Sequence, residues 1–203
     1  MGEVVSPPLK PREMPRWVRQ NYPDVINSSC GFHVHVSLKR TVDYSLLMEQ
    51  EFYSFFLARA KVFGEELYGQ DRDLFLHRLS GHNSYCEARF QPDEQVWLSC
   101  KDSARYCHLN FCYALRGTLE CRLFPMFQKH QTALEAARLL LWSIESYLHK
   151  NPQRRFALHE QAPLPELETQ TGEHIEDVWT ERSQPVEEQD EIPALALVGE
   201  HSV

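Results

Sequence analysis

No apolar run in this chain approaches the ~20 residues that a helical membrane span needs. The N-terminus shows no short apolar core flanked by basic residues, so no signal peptide is expected. None of the six cysteines forms a CxxC pair. With 203 residues the chain is large enough to build a core without a disulfide framework. Cys30, Cys86, Cys100, Cys107, Cys112 and Cys121 therefore read as reduced thiols of a cytoplasmic protein. A zinc site drawn from some of them would lack the usual ligand spacing. Three phosphate-binding and nucleophile patterns are also missing: GxxxxGK[ST], GxGxxG and GxSxG. Trp17, Trp97, Trp142 and Trp179 are scattered, which gives no stacking platform for a single nucleic-acid strand. There is no internal repeat.

What charge there is divides unevenly. Residues 160–203 hold twelve acids and one base, Arg182, a net of −11. The whole chain carries −8, so residues 1–159 carry +3 by difference. The tail is rich in Pro, Gln and Glu and has no sustained hydrophobic period. That composition predicts an acidic, disordered tail over 156–203, unsuited to nucleic acid. The mild positive balance of residues 1–155, the expected folded domain, is compatible with an anionic ligand such as a nucleotide.

Periodicity outlines the domain. "EVVS" (3–6) reads as a short strand stopped by Pro7 and Pro8. Residues 9–29 read as a loop with a short helix around 16–21. Alternation predicts a strand over 31–38, with Phe32, Val34 and Val36 on one face and His33, His35 and Ser37 on the other. Asp43 is placed to cap a single helix reaching Tyr68, with Gly69 as its stop. A short helix is expected near 71–79 and an extended segment over 103–113. Residues 118–124, "TLECRLF", alternate again: Leu119, Cys121 and Leu123 against Thr118, Glu120, Arg122 and Phe124. Thr132 and Glu135 form a capping-box pattern for a helix over 133–150. The expected class is α+β, a mainly antiparallel sheet with packed helices.

The two alternating strands have unusual polar faces, His-x-His-x-Ser and Glu-x-Arg. A buried Glu or Arg is costly unless paired or coordinated. A carboxylate with neutral imidazoles can ligate a divalent cation, and an Arg fork matches phosphate oxygens. The plainer alternatives are a solvent-facing HxH pair and a surface Glu–Arg pair. Cys107 and His108 are adjacent, so on a strand they point apart and make a poor nucleophile–base pair.

Taken in order and spacing, "GEVVSPPL" (2–9), "CGFHVHVSL" (30–38), "RYCHLN" (105–110) and "TLECRLFP" (118–125) resemble the amidoligase family. These are ATP-dependent carboxylate–amine ligases related to glutamine synthetase and glutamate–cysteine ligase. The likeness covers residues 2 to about 150 and leaves the tail outside. It implies a glutamine synthetase-like sheet fold, with ATP and Mg2+ (or Mn2+) as cofactors and small-molecule or peptide carboxylates and amines as substrates. By the same resemblance Glu3, His33 and Glu120 would ligate metal. His35, Ser37 and Arg122 would lie at the nucleotide phosphates, with Arg122 and Arg105 catalytic and Asn110 in the site wall. Arg78 and Tyr85 fall in the substrate-side region. Family members begin with a G-x-E-x-E-F strand ahead of the E-x-x-S-P strand, whereas this sequence begins on the latter. The fold is therefore expected to be incomplete at the N-terminus, with an exposed sheet edge that favours a homo-oligomer. Two other functions remain open: a non-catalytic homologue acting as a binding protein, and a metal-dependent phosphoesterase. For the second, only His35-Val36-Ser37 supplies the required H-x-[ST] strand.

Overall fold

The computed structural model of the chain describes residues 4–27, 29–92, 106–111, 117–152 and 195–201. Among them are five strands and five helices. In chain order these are β1 (Val4–Val5), α1 (Met14–Asn21), β2 (Cys30–Val36), α2 (Thr41–Leu47), α3 (Gln50–Glu66), α4 (Gly69–Leu79), β3 (Leu109–Asn110), β4 (Leu119–Pro125), α5 (His130–Lys150) and β5 (Leu195–His201). The strands make one sheet, ordered β1-β5-β2-β4-β3, and every neighbouring pair is antiparallel. The expected α+β class with an antiparallel sheet is observed.

β2 and β4 occupy inner positions, and all seven residues of each are buried. A strand covered on both faces must bury its polar positions as well as its apolar ones. That is why His33, His35, Glu120 and Arg122 lie in the interior. β5 lies between β1 and β2, although its residues fall in the stretch that composition assigned to the tail. It pairs with β2 from Cys30↔His201 to Val36↔Leu195, and with β1 through Val4↔Gly199 and Val5↔Val198.

Helix α3 packs against α4 and α5, and α4 and α5 lie against the inner strands. Phe75 of α4 stacks on Phe124 at 6.3 Å and meets Phe63 of α3 edge-on at 5.5 Å, tying two helices to β4. These rings are buried or half-buried, and each such burial is worth roughly 1.5–3 kcal/mol.

Four local expectations are corrected. The single helix expected from Asp43 to Tyr68 is two helices, broken at Met48 and Glu49, where Glu49 turns to extended backbone. Glu49 accepts a 3.0 Å hydrogen bond from the Tyr147 hydroxyl of α5, so a tertiary contact holds the break. Gly69 does follow α3, at φ +57°, but it opens α4 rather than leading into a loop. The helix expected from Thr132 begins at His130, with Lys129 at its cap and no side-chain capping bond. Thr132 therefore lies inside the first turn, where it cannot act as the cap. Asp43 likewise sits inside α2, where its carboxylate takes Arg40 at 3.3 Å.

β4 also departs from simple alternation. Between the pairs Phe32↔Phe124 and Val34↔Cys121, β2 advances two residues and β4 three. The extra residue is a bulge, and it reverses the phase of β4 beyond it. Phe124 consequently stands opposite Phe32 instead of sharing the face of Glu120 and Arg122. Arg78 of α4 supports the bulge, donating from Nη1 to the Arg122 carbonyl at 3.1 Å and from Nη2 to the Cys30 carbonyl at 3.2 Å.

Candidate functional site

Glu120 is the centre of the polar face. It pairs with His35 across β2 and with Asn110 across β3, so three strands bring their polar positions together. Its Oε1 receives Arg122 Nη1 at 2.7 Å, and its Oε2 receives Asn110 Nδ2, also at 2.7 Å. His33 Nδ1 lies 3.3 Å and His35 Nε2 3.6 Å from the same Oε1. The side chains of Glu120 and Arg122 are 2% and 1% exposed, which excludes the surface-pair reading. Burial pushes the Glu120 carboxyl toward the neutral form. The hydrogen bond from His33 and the positive charges of Arg122, His35 and His33 outweigh it, and hold the group ionised well below the usual carboxylate range.

Arg122 is enclosed as well as paired. Its Nε donates to the Tyr85 carbonyl at 3.4 Å, and its guanidinium lies 5.0 Å from the centroid of the Tyr106 ring. The backbone N–H of Arg122 donates to the His108 carbonyl at 2.9 Å, which fixes where its side chain starts. His35 has a second neighbour, Thr118 Oγ1, at 3.3 Å from Nδ1.

A second polar set lies behind the first. His108 is fully buried, with Nε2 at 2.9 Å from the Arg78 carbonyl and Nδ1 at 2.9 Å from the Tyr53 hydroxyl. The carbonyl can only accept, so Nε2 carries the proton and Nδ1 accepts from Tyr53. Burial lowers the affinity of His108 for a second proton, opposed in part by the Arg78 bond. His108 thus orients Arg78, and Arg78 holds the bulge at Arg122. Cys107, next in sequence, has different partners: its Sγ accepts from Arg89 Nε at 3.3 Å. Cys86 nearby is pushed up to about 12 by burial, so it rests as a thiol.

The structure therefore brings together His33, His35, Asn110, Glu120 and Arg122, with Arg78 beneath them. Ser37 lies just past the end of β2 and is half-buried. Tyr85 contributes its carbonyl, while its side chain is exposed. Glu3 and Arg105 lie outside the described residues. Sequence reasoning missed Tyr53, Tyr106 and the supporting role of His108. The only available signal was the clustering of polar and aromatic residues in "RYCHLN", which does not reveal partners 30 and 55 positions away.

Among the described residues no group of three His, Cys, Asp or Glu side chains is placed to hold a metal ion. His33, His35 and Arg122 all approach Glu120 itself, and a guanidinium already takes its Oε1. In this arrangement these side chains do not fit a resident divalent cation. No helix among the described residues is long and apolar enough to cross a membrane. Comparison with protein-family models, with curated proteins and with solved structures returns no match.

Proposed function

We propose that the chain is a carboxylate–amine ligase of the amidoligase type on a glutamine synthetase-like sheet, taking ATP with its Mg2+ or Mn2+ as a substrate complex. One observation carries the reading. Three separate motifs, "HVHVS", "RYCHLN" and "TLECRLF", supply His33, His35, Asn110, Glu120 and Arg122 to one cluster around an ionised carboxylate. In the proposed reaction an oxygen of the substrate carboxylate attacks the γ-phosphorus of ATP, and ADP leaves. An amine then attacks the acylphosphate carbon, phosphate leaves, and the amine proton passes to solvent. Negative charge accumulates on the transferred phosphoryl group, so the cationic Arg122 and the imidazole of His35 are suited to its neighbourhood.

The test is ADP release with magnesium-ATP across a panel of carboxylates and amines, with His33→Ala and Glu120→Ala as controls. Turnover that both variants abolish is expected. A well-folded protein with neither turnover nor binding of magnesium-nucleotide refutes the reading. A second reading, a non-catalytic homologue that binds a partner, is favoured by the engagement of both Glu120 oxygens inside the fold. It predicts a biological activity that is indifferent to folded His33 and Glu120 variants.

A further inference from the structure

The seam between α3 and α5 holds a cation that the fold does not neutralise. The two helices pack against each other. Phe55 and Arg59 stand one turn apart on α3, so they share a face. The Arg59 guanidinium carbon lies 4.0 Å from the centroid of the Phe55 ring and 4.3 Å from that of Trp142, on α5. Two aromatic faces thus hold one guanidinium. Lys150, at the end of α5, brings its Nζ to 5.5 Å from the same Phe55 ring.

Arg59 Nε is enclosed and meets no hydrogen-bond acceptor. Among the described residues, neither Arg59 nor Lys150 forms an ion pair or a hydrogen bond. The rings stabilise the charge, but they cannot accept the N–H groups that point outward in the guanidinium plane. Leaving such donors without an acceptor is costly at a half-buried position. The surface around them is apolar. Trp142 is 50% exposed, and Val62, one turn beyond Arg59 on α3, is 56% exposed. An accessible Trp beside a stacked Arg is the composition of an interaction hot spot. Within a helix the backbone N–H groups are already bonded, so these positions offer an anion little beyond the guanidinium edge. One fork in apolar surroundings suits a singly charged carboxylate better than a phosphate dianion.

The geometry points to the α3–α5 seam at Arg59 as a docking surface for an acidic peptide segment of a partner protein. A carboxylate of that segment accepts from the Nη groups of Arg59, and the apolar residues beside it cover Trp142 and Val62. Charge complementarity selects the occupant, since the seam presents two cations and no ion pair to either of them. The ring contacts of Arg59 do not involve the cluster around Glu120, and the inference does not rest on the proposed ligase reading.

The experiment uses the full chain and its Arg59→Gln and Arg59→Lys variants, with Arg72→Gln, an exposed position of α4, as the control for lost charge. The probes are three short fluorescein-labelled peptides: glutamates flanked by leucines, the same peptide with glutamines, and the same with phosphoserines. Fluorescence anisotropy reads the affinity, and the arginine Nε 1H–15N spectrum reads the place. The glutamate peptide is expected to bind, to move the Arg59 Nε–H signal and to weaken as salt rises. Arg59→Gln weakens it about tenfold or more, as for a hot-spot residue. Arg59→Lys restores only part of the loss, because the planar fork is gone. Arg72→Gln leaves the affinity unchanged. Should Arg59→Gln not fold, Arg59→Lys carries the comparison. No binding of the glutamate peptide, equal binding of the glutamine peptide, or preference for the phosphoserine peptide overturns the inference. So does an unchanged affinity in a folded Arg59 variant. Without peptide, an Arg59 signal that moves with chain concentration gives the surface to a second copy. One that moves when the glutamates within residues 166–181 become glutamine gives it to the chain's own acidic stretch. Either result also overturns the inference.

Discussion

Replacing Glu120 by glutamine keeps the size of the side chain and removes its charge. The structure sets the cost. Arg122 would remain 1% exposed, its guanidinium having lost the carboxylate that now lies 2.7 Å away. The Tyr85 carbonyl at 3.4 Å and the Tyr106 ring at 5.0 Å are weaker partners and carry no countercharge. Breaking a buried pair by neutralising one member typically costs about 3–5 kcal/mol, against ~0–1 kcal/mol for an exposed pair. For a chain of this size that corresponds to a fall in melting temperature of roughly 6–20 °C. The assay is urea unfolding followed by circular dichroism at neutral pH, checked by a thermal melt. Removing both charges together, as Glu120→Gln with Arg122→Met, should recover much of the loss, because a neutral, packed pair avoids the desolvation of two ions. The pH dependence has a definite sign. The carboxyl of the folded chain titrates well below its unfolded value of 4.5, so its contribution is complete above that value and is lost as pH falls through the folded pKa. The difference between parent and variant should therefore shrink in acid. A loss under about 1 kcal/mol at pH 7 would refute the reasoning, since that is the magnitude of a solvated pair.

Two further outcomes follow from the same interior. His108 is buried neutral, with its proton affinity lowered, so the unfolded chain binds the proton more readily than the folded one. The stability this contributes is complete above pH ~6.5 and is lost as pH falls from there toward the folded pKa. His108→Gln should flatten stability between pH 5 and 7, measured by urea midpoints. Gly31→Ala forces a methyl to 2.7 Å from His33 Nε2, so it should cost ~1–3 kcal/mol by overpacking and should shift the His33 ring resonances. An unchanged melting point would place free volume where the structure has a ring.

Much of the site was legible from alternation alone. Period-two patterning in "GFHVHVS" and "TLECRLF" gave both strands and put His33, His35, Glu120 and Arg122 on polar faces, because a strand leaves its side chains no other choice. Helix α5 was readable from its apolar stripe, and only its start was displaced by two to three residues. Four features were not legible, each for a physical reason. The burial of the polar faces depends on what packs over them. The phase reversal at Phe124 comes from one extra residue in β4, which only pairing with β2 reveals. His108 gains its meaning from Tyr53 and Arg78, partners on two other elements. The insertion of β5 between β1 and β2 ignores chain order, and an acidic composition upstream hid a seven-residue strand at the end. The sequence by itself determined which residues alternate and which can carry charge, since these are local properties of backbone and side chain. The tertiary structure decided which faces meet, because strand order and register are set by contacts between residues distant in the chain.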